Sequence, residues 1–275
     1  MSTETRVASH YTKGRLEEAI LHAMTQAGKD AAHLTPSDLA TLDEFHIGGI
    51  DATRELAAQM DLRPGLRVLD VGSGIGGPAR ILASDHGCRV TGIDLTEEFV
   101  QVAKNLTRLL KLDHLVEFRQ ASALQLPFEP ETFDRAYMIH VGMNIAAKVE
   151  AFREVRRVVT TGALFTIFDI VRTADGPIRY PVPWASDPET SHVADLKTYR
   201  EALEGAGFRL YRERRRGAFS VEFTQRAMAR MAQVGPPALG LQLLMGEKAP
   251  LMISNMLALM QEGIIEPVEL FARSI

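Results

Sequence analysis

The chain lacks several features that mark well-known classes of protein. Its 275 residues include one cysteine, Cys88, which excludes an internal disulfide framework and a cysteine-based metal cage. No run of about 18 apolar residues occurs, so we expect no membrane span. The first 15 residues are polar and carry no apolar signal core, so secretion is not indicated and a cytoplasmic setting is expected.

An excess of positive charge is also absent. The 31 Lys and Arg against 35 Asp and Glu give a formal net charge of −4, which provides no electrostatic footprint for nucleic acid. The local basic run from Arg212 to Arg216 is typical of a solvated strand end. No H-E-x-x-H or similar ligand cluster is present, so we predict no metal site.

The composition that remains is that of an ordinary globular protein. Hydrophobic residues make up 46% of the chain and charged residues 24%, which suffices for one large core. No internal repeat or low-complexity segment occurs. We therefore predict a single domain over residues 1–275.

One glycine-rich stretch organises the middle of the chain. Residues 67–71 read as a buried strand, and Gly72, Gly74 and Gly76 then form a tight turn before a helix that starts near Pro78. Such a turn directs free backbone N–H groups and the positive end of a helix at a ligand. A structural turn without a ligand would not need so many glycines.

Two acidic residues decide between the ligand classes that fit this turn. Gly72, Gly74 and Gly77 satisfy the dinucleotide pattern G-x-G-x-x-G, which is weak evidence alone. Asp70 lies two residues before the first glycine, where it would repel a pyrophosphate but suit an ammonium or a sulfonium group. Asp94 follows about 20 residues after the turn, at the spacing of an acid that binds ribose hydroxyls. The alternative for Asp94 is a plain carboxylate at the end of a strand.

The chain around this turn alternates between strands and helices. We predict strands at residues 66–71, 89–94, 116–120, 133–140, 163–170, 208–214 and 264–272. This alternation predicts an α/β protein with a largely parallel sheet. Apolar residues at helical spacing predict a helical cover over residues 1–62, and residues 218–262 read as a helical insertion before the last strand. The middle region, residues 63–171, would form the cofactor-binding core, with the substrate loop and helical cap in residues 172–275.

A histidine ends the predicted fourth strand, and an asparagine lies four residues after it. In open α/β sheets, ligands bind beyond the carboxyl ends of the strands at the point where the strand order reverses. His140 is therefore a candidate base or ligand-orienting group, because an imidazole titrates near neutral pH. It could equally pack on the ligand without reacting. Asn144 is a candidate substrate-binding residue, although capping of a helix over residues 145–159 is the commoner role.

Three further residues are weaker candidates. Residues 172–194 are proline-rich and irregular, as functional loops often are. Trp184, the only tryptophan, could line an acceptor pocket or anchor this loop. His192 is a second acid–base candidate. His46 precedes a glycine pair and could reach the ligand, but a backbone hydrogen bond at a helix end is the favoured role.

The string Val-Leu-Asp-Val-Gly-Ser-Gly-Ile-Gly-Gly at residues 68–77 closely resembles the first motif of class I S-adenosylmethionine-dependent methyltransferases. The resemblance covers residues 45–215 and points to the small-molecule branch, like the ubiquinone/menaquinone and sarcosine/dimethylglycine enzymes. It implies a Rossmann-like, seven-stranded, mostly parallel sheet with helices on both faces and an antiparallel last strand. It also implies S-adenosylmethionine as cofactor and a small-molecule acceptor at an N, O, S or C atom.

The resemblance further implies which residues hold the cofactor. These are Asp70, Gly72, Ser73, Gly74, Gly76, Asp94, Leu95, Ser122, Ala123 and His140. Ser122 occupies the position where the family usually has an aspartate that accepts a hydrogen bond from the exocyclic amine of adenine. The resemblance therefore implies that backbone groups around Ala123 make more of the contact with adenine.

Two other functions stay open at this point. A nicotinamide-dependent oxidoreductase would use the same glycine pattern, although Asp70 argues against it. A non-catalytic binder of S-adenosylmethionine would keep the cofactor site without a productive acceptor site. A homodimer is compatible with the sequence, which does not specify the oligomeric state.

Overall fold

A seven-stranded sheet forms the centre of the protein in a computed structural model, which describes residues 2–12, 14–30 and 33–275. The strands are β1 (Arg67–Val71), β2 (Arg89–Asp94), β3 (Val116–Gln120), β4 (Phe133–Ile139), β5 (Val159–Arg172), β6 (Phe208–Arg215) and β7 (Ile265–Ser274). They lie in the order β3-β2-β1-β4-β5-β7-β6. The order reverses beside β1, which therefore places a ligand crevice at its carboxyl end.

The strand directions confirm the predicted mostly parallel sheet. Strands β1 to β5 pair in parallel with their neighbours. Strand β7 is inserted antiparallel between β5 and β6. The sequence placed β2 and β3 correctly, but β5 is longer than predicted because it begins directly after the preceding helix. The fourth strand ends at Ile139, so His140 lies outside it.

Eleven α-helices accompany these strands within the described residues. They are α1 (Thr3–Tyr11), α2 (Leu16–Gln26), α3 (Pro36–Asp43), α4 (Gly49–Ala57), α5 (Gly77–His86), α6 (Glu97–Leu109), α7 (Lys148–Val158), α8 (Leu196–Gly205), α9 (Gly217–Val234), α10 (Gln242–Met245) and α11 (Ala249–Gln261). Over the described part of the chain, none of them has both the length and the apolar character needed to cross a bilayer.

The two faces of the sheet are both covered by helices. Alternate strand residues pack on opposite sides: Leu69 joins the cluster with α7 and α8, and Val68 joins the cluster with α4 and α5. The first four helices form the predicted N-terminal cover. The predicted helical insertion over residues 218–262 consists of α9, α10 and α11, and Gly235 at φ +80° and the two prolines after it end α9.

A buried ion pair joins the N-terminal cover to the glycine turn. Arg80 on α5 donates from Nη2 to Asp43 Oδ2 at the end of α3 (2.8 Å), and both side chains are at most 2% exposed. The guanidinium also donates to the Ile75 carbonyl (2.7 Å) and the Thr107 hydroxyl (3.0 Å). At Gly77, a Cβ atom would lie 2.2 Å from the Asp43 carbonyl oxygen. The helix after the turn is thus locked against α3.

The boundaries predicted inside the chain, at residues 62 and 171, stay predictions. The cover, the sheet and the later helices share continuous packing: α2 and α3 contribute to one apolar cluster together with α6 and Leu244 of α10.

Candidate active site

A cavity of about 310 Å³ opens at the carboxyl ends of the central strands. Its wall combines residues after β1, β2, β3 and β4 with residues of the N-terminal cover and the late helices. The lining residues include Glu4, Val7, Tyr11, Asp43, Phe45, His46, Asp70, Gly72, Ser73, Gly74, Asp94, Leu95, Ala123, His140, Met143, Asn144, Trp184, Leu244 and Met256. The cavity therefore lies where the strand order predicts a ligand site.

Backbone hydrogen bonds hold the glycine turn against β2. The N–H groups of Gly72 and Ser73 both donate to the Ile93 carbonyl (2.8 Å each). The Gly74 N–H donates to Asp94 Oδ2 (2.9 Å), and Asp94 Oδ1 accepts from the Thr96 N–H (2.8 Å). Burial raises the pKa of Asp94, and these backbone bonds oppose the rise. The Asp94 carboxylate is fixed in place and keeps lone pairs for a ligand.

The turn itself is open to the cavity at one position. Gly74 has φ +54°, and a Cβ atom there would lie more than 4 Å from every other described residue that is not its chain neighbour. Gly76 differs, because a Cβ atom there would lie 2.4 Å from the Phe118 ring and 2.7 Å from Arg80. Gly76 therefore serves the packing of the helix on the sheet, whereas Gly74 leaves space for a ligand.

Asp70 is a buried carboxylate without a neutralising partner among the described residues. It is 2% exposed, and its Oδ2 has no hydrogen-bond partner among the described residues. Burial raises the pKa of Asp70 to about 8, with the charges of Asp94 and Glu44 adding to the rise and the Tyr137 hydroxyl opposing it. An unpaired buried charge destabilises the folded protein. A positively charged group on a ligand would therefore be bound favourably beside the ionised Asp70 carboxylate.

His140 lies directly after β4 in a backbone conformation that is uncommon outside glycine. Its φ is +53°, and its N–H donates to the Phe168 carbonyl (2.7 Å). Its Nε2 is buried and has no partner within the described chain. Burial, and then the neighbouring His46, lower its pKa well below the usual value. The His140 imidazole is therefore neutral at pH 7.

A second histidine faces the first across the cavity wall. The rings of His46 and His140 are 5.9 Å apart. His46 Nε2 lies 2.7 Å from Glu44 Oε2, and the Thr53 hydroxyl donates to the same oxygen (2.5 Å). The side chains of His46 and Glu44 are 3% and 0% exposed. His46 Nδ1 also lies 3.3 Å from the Ile47 carbonyl, so the predicted backbone contact and a place in the cavity wall coexist.

Asn144 holds the loop that carries Trp184. Its Nδ2 donates to the carbonyls of Trp184 (2.8 Å) and Thr190 (2.9 Å), and its Oδ1 accepts from the Tyr11 hydroxyl (3.1 Å). Helix α7 begins at Lys148, so Asn144 does not cap it. The alternative of helix capping is therefore wrong.

Trp184 both lines the cavity and anchors its loop. The residue is 2% exposed, and its Nε1 donates to the Ser191 hydroxyl (3.0 Å). The two roles that the sequence suggests for this residue therefore coexist. The tryptophan packs with Met143, Met256 and their apolar neighbours into one cluster at this end of the cavity.

A buried lysine that the sequence did not indicate fixes the other end of the same loop. Lys148 Nζ donates to the carbonyls of Ile145 (2.8 Å) and His192 (2.7 Å) and lies 5.3 Å from the centre of the Tyr199 ring. Burial lowers the pKa of Lys148 to about 8, against the opposing charge of Asp169. His192 thus takes part in the contact that fixes the loop, through its backbone carbonyl, and is not among the described residues that line the cavity.

The structure brings most of the predicted site residues together. Those that line the cavity are His46, Asp70, Gly72, Ser73, Gly74, Asp94, Leu95, Ala123, His140, Asn144 and Trp184. Gly76, Ser122 and His192 are not among the described lining residues. Ser122 instead donates a short hydrogen bond to Glu4 and accepts one from the Leu124 N–H (3.0 Å). The functional roles of all these residues stay predictions.

Helix α1 crosses the cavity, which sequence reasoning missed. Glu4 contacts Ser122 after β3, Tyr11 contacts Asn144 after β4, and Arg6 forms an ion pair with Glu189 of the proline-rich loop. Val7 is the one buried residue of α1, so the helix has no apolar stripe from which its position could be predicted. Glu44 was also missed, although an acid two residues before a histidine next to a glycine pair was a usable signal.

The burial of neutral His140 predicts a dependence of stability on pH. The folded-state pKa is lowered, so below about pH 6.5 the unfolded chain binds a proton that the folded protein does not. We expect the free energy of unfolding to fall as pH drops through this range, by up to ~1.4 kcal/mol per pH unit from this group. Urea unfolding of wild type and His140→Asn at pH 7.5 and 5.5 measures the difference. Asparagine also tolerates positive φ.

The matched control is His114→Asn, because His114 is exposed. It should keep the wild-type pH dependence. A His140→Asn protein with the same loss of stability as wild type between the two pH values would contradict the assignment of that loss to His140.

Comparison with known proteins agrees with this geometry. A family model described as "Methyltransferase domain" matches residues 69–167. A 24-methylenesterol C-methyltransferase of Arabidopsis thaliana is 37% identical over 127 residues, which are 45% of this chain and 35% of that protein. Methyltransferase GfsG of Streptomyces halstedii is 33% identical over 134 residues, which are 49% of this chain and 48% of that protein. The chain thus spans less than half the length of these relatives.

Solved structures share the fold at low sequence identity. Geranyl diphosphate C-methyltransferase of Streptomyces coelicolor, in complex with Mg²⁺, a geranyl thiolodiphosphate and S-adenosylhomocysteine, superposes with a TM-score of 0.72 over 100% of this chain and 99% of that chain, at 15% identity. Residues 69–167 thus match a methyltransferase domain, and the seven-stranded sheet shares its fold with this methyltransferase structure.

Proposed function

We propose that this protein transfers a methyl group from S-adenosylmethionine to a small-molecule acceptor held in the cavity. The observation that carries the proposal is Asp70, a buried carboxylate at the glycine turn with one oxygen that has no partner in the described part of the chain. A cofactor that carries an ammonium and a sulfonium would supply the missing positive charge. A pyrophosphate in the same place would add negative charge beside Asp70 and Asp94.

The residues around the turn fit each part of such a cofactor. Asp94 would accept hydrogen bonds from the ribose hydroxyls, with its orientation set by Gly74 and Thr96. Leu95 and Ala123 would flank the adenine, and Ser122 lies one step behind them. When bound, the cofactor supplies an electrophilic methyl group on a positively charged sulfur.

The other end of the cavity would hold the acceptor. Trp184, Met143 and Met256 provide an apolar wall, and His140 presents an imidazole beside it. The protein would position the acceptor in line with the methyl group and exclude water from the cavity. Asn144 supports this end indirectly, because its amide is engaged by Tyr11 and by two loop carbonyls.

Binding of S-adenosylmethionine should strengthen as pH rises toward 8. The pKa of Asp70 is about 8 in the free protein, and the cationic cofactor binds the ionised form. The affinity should therefore fall roughly tenfold for each pH unit below this pKa. Isothermal titration calorimetry at pH 6, 7 and 8, in buffers of different ionisation enthalpy, measures both the affinity and the proton released.

Asp70→Asn should bind more weakly at pH 8 and lose the pH dependence. Asp113→Asn, at an exposed position, should behave like wild type. A cofactor affinity that is independent of pH, with no proton release, would remove Asp70 from the proposed role. No binding at millimolar cofactor would end the proposed function itself.

The same titrations separate the two alternative functions. A nicotinamide-dependent oxidoreductase would enhance the fluorescence of the reduced cofactor on mixing and leave S-adenosylmethionine unbound. A non-catalytic binder would bind S-adenosylmethionine and methylate no acceptor. The cytoplasmic setting and the homodimer stay predictions.

A further inference from the structure

We propose that Glu4 on helix α1 binds the exocyclic amine of the cofactor's adenine, and that the bound cofactor thereby holds α1 in place over the cavity. The inference rests on the proposed function and adds to it a specificity-determining residue and a link between the two ends of the site. Glu4 is a binding residue, which contacts the cofactor and takes no part in the transfer of the methyl group.

A contact with the loop after β3 fixes the position of Glu4. The Ser122 hydroxyl donates a short hydrogen bond to Glu4 Oε1 and accepts one from the Leu124 N–H (3.0 Å). Glu4 also lines the cavity. A carboxylate has about four lone-pair sites, so the bond from Ser122 leaves most of its accepting capacity for a ligand. The Glu4 carboxylate is thus available on the cavity wall beside the end of β3.

The loops after β2 and β3 are joined, which brings this carboxylate close to the nucleoside part of the cofactor. The Ala121 N–H donates to the Asp94 carbonyl (3.0 Å), and Gln120 Nε2 donates to the Leu95 carbonyl (3.1 Å). The proposed function places the ribose at the Asp94 carboxylate and the base beside Leu95. The exocyclic amine is on the edge of adenine that lies farthest from the ribose, so it points toward the loop that carries Ser122.

Apolar side chains line the cavity on α1 and on both of these loops. They include Val7, Leu95, Ala123 and Leu124. Such a wall suits the two faces of a purine, but it offers nothing to the amine at its edge. A polar group buried without a hydrogen bond costs free energy. Glu4 supplies a charged acceptor, and hydrogen bonds to a charged acceptor are about twice as strong as neutral ones.

Three carboxylates follow the order of the strands. Strands β3, β2 and β1 are neighbours in the sheet, and Glu4, Asp94 and Asp70 lie at the corresponding ends of the cavity wall. The donor groups of the proposed cofactor follow the same order, with the adenine amine first, then the ribose hydroxyls and then the positively charged amino-acid end. Each donor group therefore meets one carboxylate.

Helix α1 also contacts the other end of the cavity. Arg6 forms an ion pair with Glu189 of the proline-rich loop, and the Tyr11 hydroxyl donates to Asn144 Oδ1 (3.1 Å). A hydrogen bond between adenine and Glu4 therefore adds to the contacts that keep α1 over both ends. Coupling between two binding events is reciprocal, so contacts that hold α1 in place also strengthen the binding of the cofactor.

The first arm of the experiment removes the amine from the ligand. Isothermal titration calorimetry at pH 8 compares S-adenosylhomocysteine with S-inosylhomocysteine, which has an oxygen in place of the exocyclic amine. Wild type should bind S-adenosylhomocysteine about ten- to a hundredfold more tightly, because the deaminated base cannot donate to Glu4 and brings a second acceptor oxygen beside it. Equal affinity of wild type for the two ligands would overturn the assignment of Glu4.

The second arm removes the charge from the protein. Glu4→Gln should reduce the preference to less than about threefold, since an amide can donate to the inosine oxygen as well as accept from the adenine amine. Glu18→Gln is the matched control, because it removes the same charge from an exposed position on α2. It should keep the preference of wild type.

A Glu4 that only docks the helix would change the two affinities equally. A Glu4→Gln protein that keeps the wild-type ratio would therefore overturn the assignment. Arg6→Gln is the comparison, because Arg6 contacts the loop and is not among the described lining residues. It should weaken the binding of both ligands by the same factor. A ratio altered as much by Arg6→Gln as by Glu4→Gln would also contradict a direct contact between Glu4 and the amine.

Hydrogen exchange of the backbone amides of α1 measures how firmly the helix is held. Saturating S-adenosylhomocysteine should slow this exchange more in wild type than in Glu4→Gln, and equal slowing would overturn the link between the amine and the helix. Thermal melting of each variant shows that it is folded. Failure of wild type to bind S-adenosylmethionine and S-adenosylhomocysteine would instead refute the proposed function, so the two failures are distinguishable.

Discussion

Replacing Arg80 with methionine is expected to destabilise the fold by about 3–5 kcal/mol, the cost of removing one partner from a buried ion pair. The reason is the carboxylate left behind. Asp43 is buried, and burial raises its pKa to about 6 even with the guanidinium of Arg80 opposing the rise. Without Arg80, Asp43 must either stay charged in an apolar environment or take up a proton.

Urea unfolding of the purified variant at pH 7.5 measures this loss. Arg67→Met is the matched control, because Arg67 pairs with Asp134 at the surface, where ion pairs contribute about 0–1 kcal/mol. Arg80→Met combined with Asp43→Leu should recover part of the lost stability, since no uncompensated charge remains. Equal losses of unfolding free energy in Arg80→Met and Arg67→Met would show that the buried ion pair stabilises the fold no more than the surface pair does.

Replacing Trp184 with alanine is expected to cost about 3–5 kcal/mol of stability, as for other large aromatic side chains removed from a core. The side chain is 2% exposed and packs among Met143, Met256 and Leu259. Its removal would leave a void next to the cavity and would also take away the hydrogen bond to Ser191.

The measurement is again equilibrium unfolding, with Trp184→Phe as the comparison. Phenylalanine keeps most of the apolar contact and loses only the indole N–H, so its loss should be clearly smaller. A loss of less than about 1 kcal/mol in the free energy of unfolding of Trp184→Ala would show that the tryptophan does not anchor the loop. The apolar packing around Trp184 would then contribute little to the stability of the fold.

The cofactor half of the candidate site was accessible from the sequence because its signals are local. Asp70, the glycines and Asp94 all lie within about 25 residues, at the ends of two strands whose apolar pattern identifies them. Strand alternation then places these ends side by side. The same reasoning located β2 and β3 correctly.

The part of the cavity around His46 and His140 was less accessible because its contacts are long-range. The pairing of His46 with Glu44 is local, but its position opposite His140 depends on how the N-terminal cover packs on the sheet. Lys148 gives no signal in sequence, since a lysine in the first turn of a helix normally points to solvent. Its burial follows from the return of the loop that carries His192.

Helix α1 could not be positioned from sequence for a similar reason. Val7 is its one fully buried residue, Tyr11 packs on Phe45 and Phe99, and its polar contacts reach three separate loops. Polar contacts of this kind have no periodicity, so a sequence pattern cannot reveal the partner.

The insertion of β7 between β5 and β6 has a consequence for synthesis on the ribosome. Strand β6 pairs with β7 along its length, and β7 is made some fifty residues later, after α9, α10 and α11. Until then the nascent chain exposes the edge of β5 as a row of unpaired backbone groups and carries a strand without a partner. Such an intermediate can associate with other nascent chains, so chaperone occupancy during translation should be greatest between the emergence of β5 and that of β7.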